Sequence, residues 1–194
     1  ILADRDGNST VAWLLEQRSL LGTWTAVADV VGEFLVQLGV EWKEGRLSIV
    51  QEHYISERLL RAIAAVCRSM PSRPGSPLCL FVMAEADEHT LGLRLAEMVA
   101  REAGWMSMWI GRKTPLAELE IPINDESVKA VAISASEFSC DAADLDKQAR
   151  TLRDMTAGAK VPLAIGGEGA WPDDLEGTTR VRSFADFRAF LDKA

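Results

Sequence analysis

The chain has 194 residues, 48% of them apolar, and its 21 basic against 29 acidic side chains give a formal net charge of -8 at pH 7. That is enough apolar material for one large domain or two small ones with buried cores, while an acidic surface with no concentrated Lys/Arg stripe repels a phosphate backbone, so no direct nucleic-acid binding by this chain is expected. No uninterrupted apolar run approaches the ~20 residues that span a bilayer, and Cys67, Cys79 and Cys140, odd in number and far apart in apolar settings, suggest neither a disulfide framework nor a zinc cluster.

A reducing cytoplasm fits that cysteine usage, and no membrane association is expected. No charged-then-apolar leader opens the sequence, and because it begins at Ile1 rather than at Met, it leaves room for an upstream domain.

The first third reads as successive helices. "VAWLLEQRSLL", "TWTAVADVVGEFLVQLGVEW" and "LSIVQEHYISERLLRAIAAVCRSM" place apolar residues at three- and four-residue spacing, and Gly22 and Gly45 are the strong interruptions. Short connections predict antiparallel packing in a bundle over residues 1–70. "SMPSRPGSP", Ser69 to Pro77, then brings three prolines, three serines and a glycine in nine residues, which ends the helix and marks a linker and domain boundary.

From residue 77 to 194 the pattern alternates. "LCLFVMA" is a buried-type strand, "TLGLRLAEMVAREAG" an amphipathic helix, and "WMSMWI" a second strand. "VKAVAISAS", "VPLAIGG" and "TRVR" are further strands, with "AADLDKQARTLRDM" and "FADFRAFLDKA" as helices. Such alternation predicts right-handed crossovers and an α/β fold, a Rossmann-like, flavodoxin-like doubly wound parallel sheet of five strands behind the helical bundle.

Ligands in open parallel sheets sit beyond the carboxyl ends of the strands. Three loops fall there: "DEHTLG" (Asp87, Glu88, His89, Thr90, Leu91, Gly92), "SAS" (Ser134 to Ser136) and "GG" (Gly166, Gly167). The first has neither the GxGxxG nor the GxxxxGK[ST] spacing and carries acids where a phosphate needs neutral or positive groups, which disfavours nucleotide binding. Ser134 and Ser136 lie in no GxSxG elbow, so a hydrolytic triad lacks support. Two histidines and three apolar-set cysteines cannot assemble a zinc site. A metal already enclosed by a macrocycle, however, needs one axial ligand. A lone His after an acid is ordinarily a surface residue; here Asp87, two residues before His89, can accept from its other ring nitrogen and fix the tautomer, with Ser134 extending the relay.

Asp87-x-His89-x-x-Gly92, followed by Ser134-x-Ser136 and Gly166-Gly167, resembles the DxHxxG...SxL...GG signature of cobalamin-binding Rossmann-like domains, with Ser136 in place of Leu. The resemblance implies that His89 ligates cobalt from below, displacing the dimethylbenzimidazole base. It also implies that the nucleotide tail runs into a cleft lined by the Ser and Gly-Gly loops, beneath a helical cap. Within the bundle, Trp42, nine intervening residues and Glu52-His53 resemble the Wx9EH pattern of the adenosylcobalamin-dependent photoreceptors of the CarH and LitR type. Ile49, Glu52 and His53 share one helix face by their spacing, so an indole, a carboxylate and an imidazole can enclose a nucleoside. Taken alone, the same residues read as a core Trp and a solvated patch.

The resemblance thus implies a cobalamin-binding regulatory domain rather than an enzyme, a light sensor with 5'-deoxyadenosylcobalamin as chromophore, acting through a homo-oligomer or a regulatory protein partner. Lys43 departs from that family, which commonly has a His after the Trp able to take the upper cobalt position. An ordinary lysine is protonated at neutral pH and is a poor ligand, so adenosyl binding is better supported than a bis-histidine photoproduct. The rivals are a corrinoid carrier of a methyltransferase system, with methylcobalamin as its form, and a non-photochemical antirepressor or scaffold. Trp13, Trp24, Trp105, Trp109 and Trp171 are expected in the core or at a subunit interface.

Overall fold

A computed structural model describes residues 8–139 and 141–194; Cys140 lies outside the described residues. The first helices are α1 (Asn8–Leu21), α2 (Trp24–Lys43) and α3 (Ile49–Ser69). Their starts are set by side chains that satisfy otherwise orphaned backbone donors. Thr23 accepts from the Ala26 N–H at the head of α2, and Ser48 forms a reciprocal capping box with Gln51 at the head of α3.

After the linker come β1 (Leu78–Met83), α4 (Leu91–Glu102), β2 (Met106–Trp109), a 3₁₀ turn (Leu116–Leu119) running into the single turn α5 (Glu120–Ile123), β3 (Val128–Ser134), α6 (Ala142–Ala159), β4 (Leu163–Gly166), β5 (Thr179–Arg180) and α7 (Phe184–Leu191). The sheet is parallel throughout, with strand order β2-β1-β3-β4-β5. This is the expected flavodoxin-like topology. Two details were not expected from the sequence. The β2-to-β3 crossover, to which no element was assigned, holds two short helical turns, because Pro115 and Pro122 interrupt a segment too short for a periodic face. β5 is two residues long, shorter than "TRVR".

Alternation along β1 explains its unbroken apolar sequence. Cys79, Phe81 and Met83 enter one core cluster with the bundle, α4 and α7, while Leu78, Leu80 and Val82 enter the other with the 3₁₀ turn, α5 and α6. The first cluster runs across the linker: Leu14, Val31, Leu59 and Ile63 of the bundle share it with Leu95, Met98 and Phe187. Glu102, at the end of α4, reinforces that docking. Its carboxylate accepts from the Trp24 N–H at 2.8 Å and the Thr25 N–H at 3.2 Å, placing a negative charge at the positive end of α2, and Arg18 pairs with it at 3.2 Å. Among the described residues no helix is long and apolar enough to cross a membrane.

Candidate functional site

The topology has its switch point between β1 and β3, whose chains leave the sheet toward opposite faces. Met83 pairs with Ser134 and Ser134 with Gly166, and the Ala84 N–H donates to the Ser134 carbonyl at 3.0 Å. The DEHTLG, SAS and GG loops therefore emerge side by side.

At their centre is Asp87, a carboxylate only 2% exposed. Its Oδ1 accepts from the His89 backbone N–H at 2.8 Å and lies 2.9 Å from His89 Nδ1, while Oδ2 accepts from the Ser136 N–H. The Ser136 hydroxyl completes the group, 3.2 Å from Asp87 Oδ1 and 3.1 Å from His89 Nδ1. A buried acceptor-only group on Nδ1 selects the tautomer that carries its proton there, leaving Nε2 as a free lone pair. The His89 side chain is 59% exposed, so the ring is held by one edge and open at the other. Among the described residues nothing hydrogen-bonds Nε2.

The relay partner is Ser136 and not Ser134, which corrects the sequence reading. β3 ends at Ser134, so the chain turns there and Ser136 swings toward the first loop. Ser134 instead lies against Gly167. A Cβ on Gly167, whose φ is +81°, would sit 2.2 Å from the Ala135 carbonyl oxygen and 2.7 Å from Ser134 Oγ, so only glycine fits.

The GG loop is clamped by residues the sequence did not single out for this role. The Trp171 indole N–H donates to the Gly166 carbonyl at 2.8 Å, and the Arg180 guanidinium donates to Gly167 at 2.9 Å and Ile165 at 3.1 Å. Burial pushes the Arg180 guanidinium below its ordinary range. Trp171, Trp24 and Trp105 are core residues, as expected, and Trp13 and Trp109 pack at the margin of the first cluster.

Thr90 and Leu91 start α4, with Thr90 making no side-chain cap. A Cβ on Gly92 would meet nothing within 4 Å. Glycine inside a helix costs ~1 kcal/mol relative to alanine, and no packing within the chain requires it here. Glu88 pairs with Lys113 of the β2 loop, and the hydrogen bond from that ammonium holds its carboxyl below the usual range.

On the bundle side, Trp42 stands edge-on to Phe138 at 6.3 Å, and Phe138 lies 5.6 Å from the His89 ring. Glu52 and His53 face each other at 3.6 Å, and Glu52 also accepts from Ser56 Oγ at 2.6 Å. Ile49 and His53 are exposed on the first turns of α3, and among the described residues the hydrogen bonds and ion pairs of Glu52 and His53 run to each other and to Ser56 rather than to the DEHTLG loop. The geometry thus gathers Asp87, His89 and Ser136, and Trp42 through Phe138, while Glu52 pairs with His53 and Ser56 on α3. No group of three or more His, Cys, Asp or Glu able to hold a metal ion occurs among the described residues.

These features define a class: a helical bundle docked on a flavodoxin-like α/β domain, with a carboxylate-held histidine at the switch point. No family model and no curated relative matches the chain. Among solved structures it is similar to one described as a novel cobalamin-binding protein from Desulfitobacterium hafniense DCB-2, at 14% identity, over 97% of this chain and 92% of that one, with a TM-score of 0.49.

Proposed function

We propose that this chain is a cobalamin-binding regulatory domain, not an enzyme, and that it uses 5'-deoxyadenosylcobalamin to sense light and change its assembly or its contact with a transcriptional partner. The observation that carries the reading is the His89 ring, fixed at Nδ1 by the buried Asp87 carboxylate with Nε2 left open. That is the donor arrangement an axial imidazole requires. The open space at Gly92 and the close approach at Gly167 suit a large planar ligand with a tail passing over the sheet edge. Once bound, the cofactor would supply a light-labile cobalt-carbon bond.

The chain's own residues would do the rest. Asp87 and Ser136 hold the imidazole tautomer, and Ser134 with Gly166 and Gly167 lines the tail's path. Trp42, Ile49, Glu52 and His53 offer the wall for an upper nucleoside. Lys43 is engaged by Glu137 at 2.8 Å, which favours adenosyl binding over any role for Lys43 as a ligand. A methyl-carrying corrinoid protein needs its upper face free for its partners, and a bundle wall there opposes that.

The test adds adenosyl-, methyl- and hydroxocobalamin in the dark and compares spectra and size-exclusion profiles before and after green light. A histidine-ligated spectrum, lost in His89→Ala, with preference for the adenosyl form and a light-dependent change of assembly, supports the reading. An unchanged spectrum in His89→Ala removes the site; equal affinity for the methyl form without a light response removes the sensor.

A further inference from the structure

The buried face of α6 carries Leu145, Gln148, Ala149 and Leu152, spaced i, i+3, i+4 and i+7. Three of the four are apolar and enter the core cluster shared by α5, α6 and β1, while Gln148 sets an amide only 8% exposed into the same stripe. A buried amide is costly unless it is hydrogen-bonded. The Gln148 Oε1 accepts from the backbone N–H of Glu85 at 3.0 Å, across 63 residues of sequence.

That N–H belongs to the turn by which the chain leaves β1. The Asp87 N–H donates to the Ala84 carbonyl at 2.9 Å, so Glu85 and Ala86 are the central residues of a β-turn and Asp87 is its last. The turn is tied on another flank as well. The Glu85 carboxylate accepts from the Leu116 N–H at the head of the 3₁₀ turn at 2.7 Å, and Glu88, just past Asp87, pairs with Lys113 of the same crossover. Glu85 and Glu88 are exposed, so water competes for their bonds; of these three ties, the one from Gln148 is made by a buried side chain.

We infer that Gln148 is a positioning residue for the Asp87-His89 pair: its amide oxygen fixes the turn that brings the Asp87 carboxylate to His89 Nδ1, so the lone pair on Nε2 is held in place from α6. The inference rests on the reading of His89 as the ligand-bearing group. Its chemistry is that of a support acting through a carboxylate, because the 2.9 Å bond to Nδ1 keeps the proton on that nitrogen only while Asp87 stays in register with the ring.

The first arm of the experiment uses no cobalamin and reads the His89 tautomer from long-range 15N–1H spectra at pH ~8.5, where an ordinary imidazole is neutral. Gln148→Met keeps the length of the side chain and removes the acceptor. It is expected to lower the ratio of Nδ1–H to Nε2–H forms at His89 by about fivefold, one ordinary hydrogen bond read as a population ratio, with His53 on α3 unchanged. Gln148→Asn, which draws the amide back by one methylene, gives the same readout should the methionine variant fail to fold. Thr156→Val is the control for a merely structural effect. Thr156 is 1% exposed about two turns further along α6, and its hydroxyl donates to the Leu152 carbonyl at 2.8 Å, so its loss destabilises the helix and should leave the His89 ratio at the wild-type value.

In the second arm, titration with hydroxocobalamin should show the histidine-ligated form weakened by a similar factor in Gln148→Met. A His89 ratio within about twofold of the wild type in the Gln148 variants, or one lowered as far by Thr156→Val, overturns the inference whatever cobalamin does. If the ratio falls as expected but hydroxocobalamin binds neither the wild type nor the variants, the positioning role stands and the cobalamin reading falls.

Discussion

Gly167→Ala tests whether the GG loop is packed as tightly as the geometry requires. Gly177 is the natural control, because both glycines have left-handed φ, +81° and +83°, but differ in clearance. A Cβ at 177 would meet Arg153 Cδ at 3.6 Å, an ordinary contact, whereas at 167 it would lie 2.2 Å from the Ala135 carbonyl oxygen. Alanine in the left-handed region costs about 1–2 kcal/mol, and that is the full expected effect at 177.

At 167 the loop must also move by about an ångström to restore van der Waals separation. The shift strains the Gly169 N–H to Ala135 carbonyl bond of 2.9 Å and the Arg180 bond to the Gly167 carbonyl of 2.9 Å. Each is worth roughly 0.5–1.5 kcal/mol, so Gly167→Ala should exceed Gly177→Ala by about 1–3 kcal/mol. Urea unfolding followed by far-UV circular dichroism measures both, and in a chain of this size each kcal/mol moves Tm by about 2–4 °C. Equal destabilisation of the two variants, within about 0.5 kcal/mol, would refute the close approach and with it the account of why glycine is needed at the sheet edge.

Ser48→Ala removes the capping box of α3 and should cost about 1 kcal/mol by chemical denaturation, with no change in the m-value. Leu59, fully buried in the cluster shared by the bundle and α4, should cost about 2–5 kcal/mol on replacement by Ala, and a single coincident transition by near- and far-UV signals is expected. Cys67, pushed up to about 12 by burial, and Cys79, buried more deeply and pushed higher still, should resist iodoacetamide at neutral pH until the chain is unfolded, as read by peptide mass spectrometry. Asp29, on α2, is raised from its ordinary value chiefly by burial, against the hydrogen bond it accepts from the Phe184 N–H at 3.3 Å. A raised carboxyl favours folding below its unfolded value and loses that contribution as pH rises through the folded value, so Asp29→Asn should raise Tm at neutral pH and have little effect near pH ~4.

The α/β class and the parallel sheet were legible in the sequence because the central strands β1, β3 and β4 are largely buried on both faces and the helices on one, so both periods were written in the apolar residues. What crosses the chain was not legible. Glu102 caps α2 from 78 residues away, and neither residue type nor spacing signals that pairing. Choosing between Ser134 and Ser136 as Asp87's partner depended on where β3 ends, and strand ends are set by tertiary pairing rather than by the side chains of "SAS". Phe138 carried a readable signal, a single aromatic in the polar run "SEFS" at a strand's carboxyl end, yet its contact with α2 depends on how the bundle docks. The Glu52-His53 pair was legible as a shared helix face, but the hydrogen bond from Ser56 to Glu52 was not.

The tautomer of His89 is where sequence, packing and function meet in one measurable quantity. Asp87 is 2% exposed and accepts the His89 and Ser136 backbone donors, so its carboxylate is fixed before the ring arrives. Held that way, it can only accept, and the Nδ1–H form follows. Free neutral imidazole side chains prefer the proton on the other nitrogen, so the protein must reverse that preference; a hydrogen bond to a charged acceptor, worth about 1.5–3 kcal/mol, is enough to do so. Long-range 15N–1H correlation spectra at pH ~8.5, where an ordinary imidazole is neutral, should therefore show His89 with its proton on Nδ1 and His53 without that bias. Asp87→Asn offers an amide that can present a donor to the same nitrogen, and should shift His89 toward the Nε2–H form, which has no lone pair to give a metal at that position. A wild-type His89 already protonated on Nε2 would mean that Asp87 is merely a cap for the Ser136 and His89 backbone, and would leave the site without a ligand.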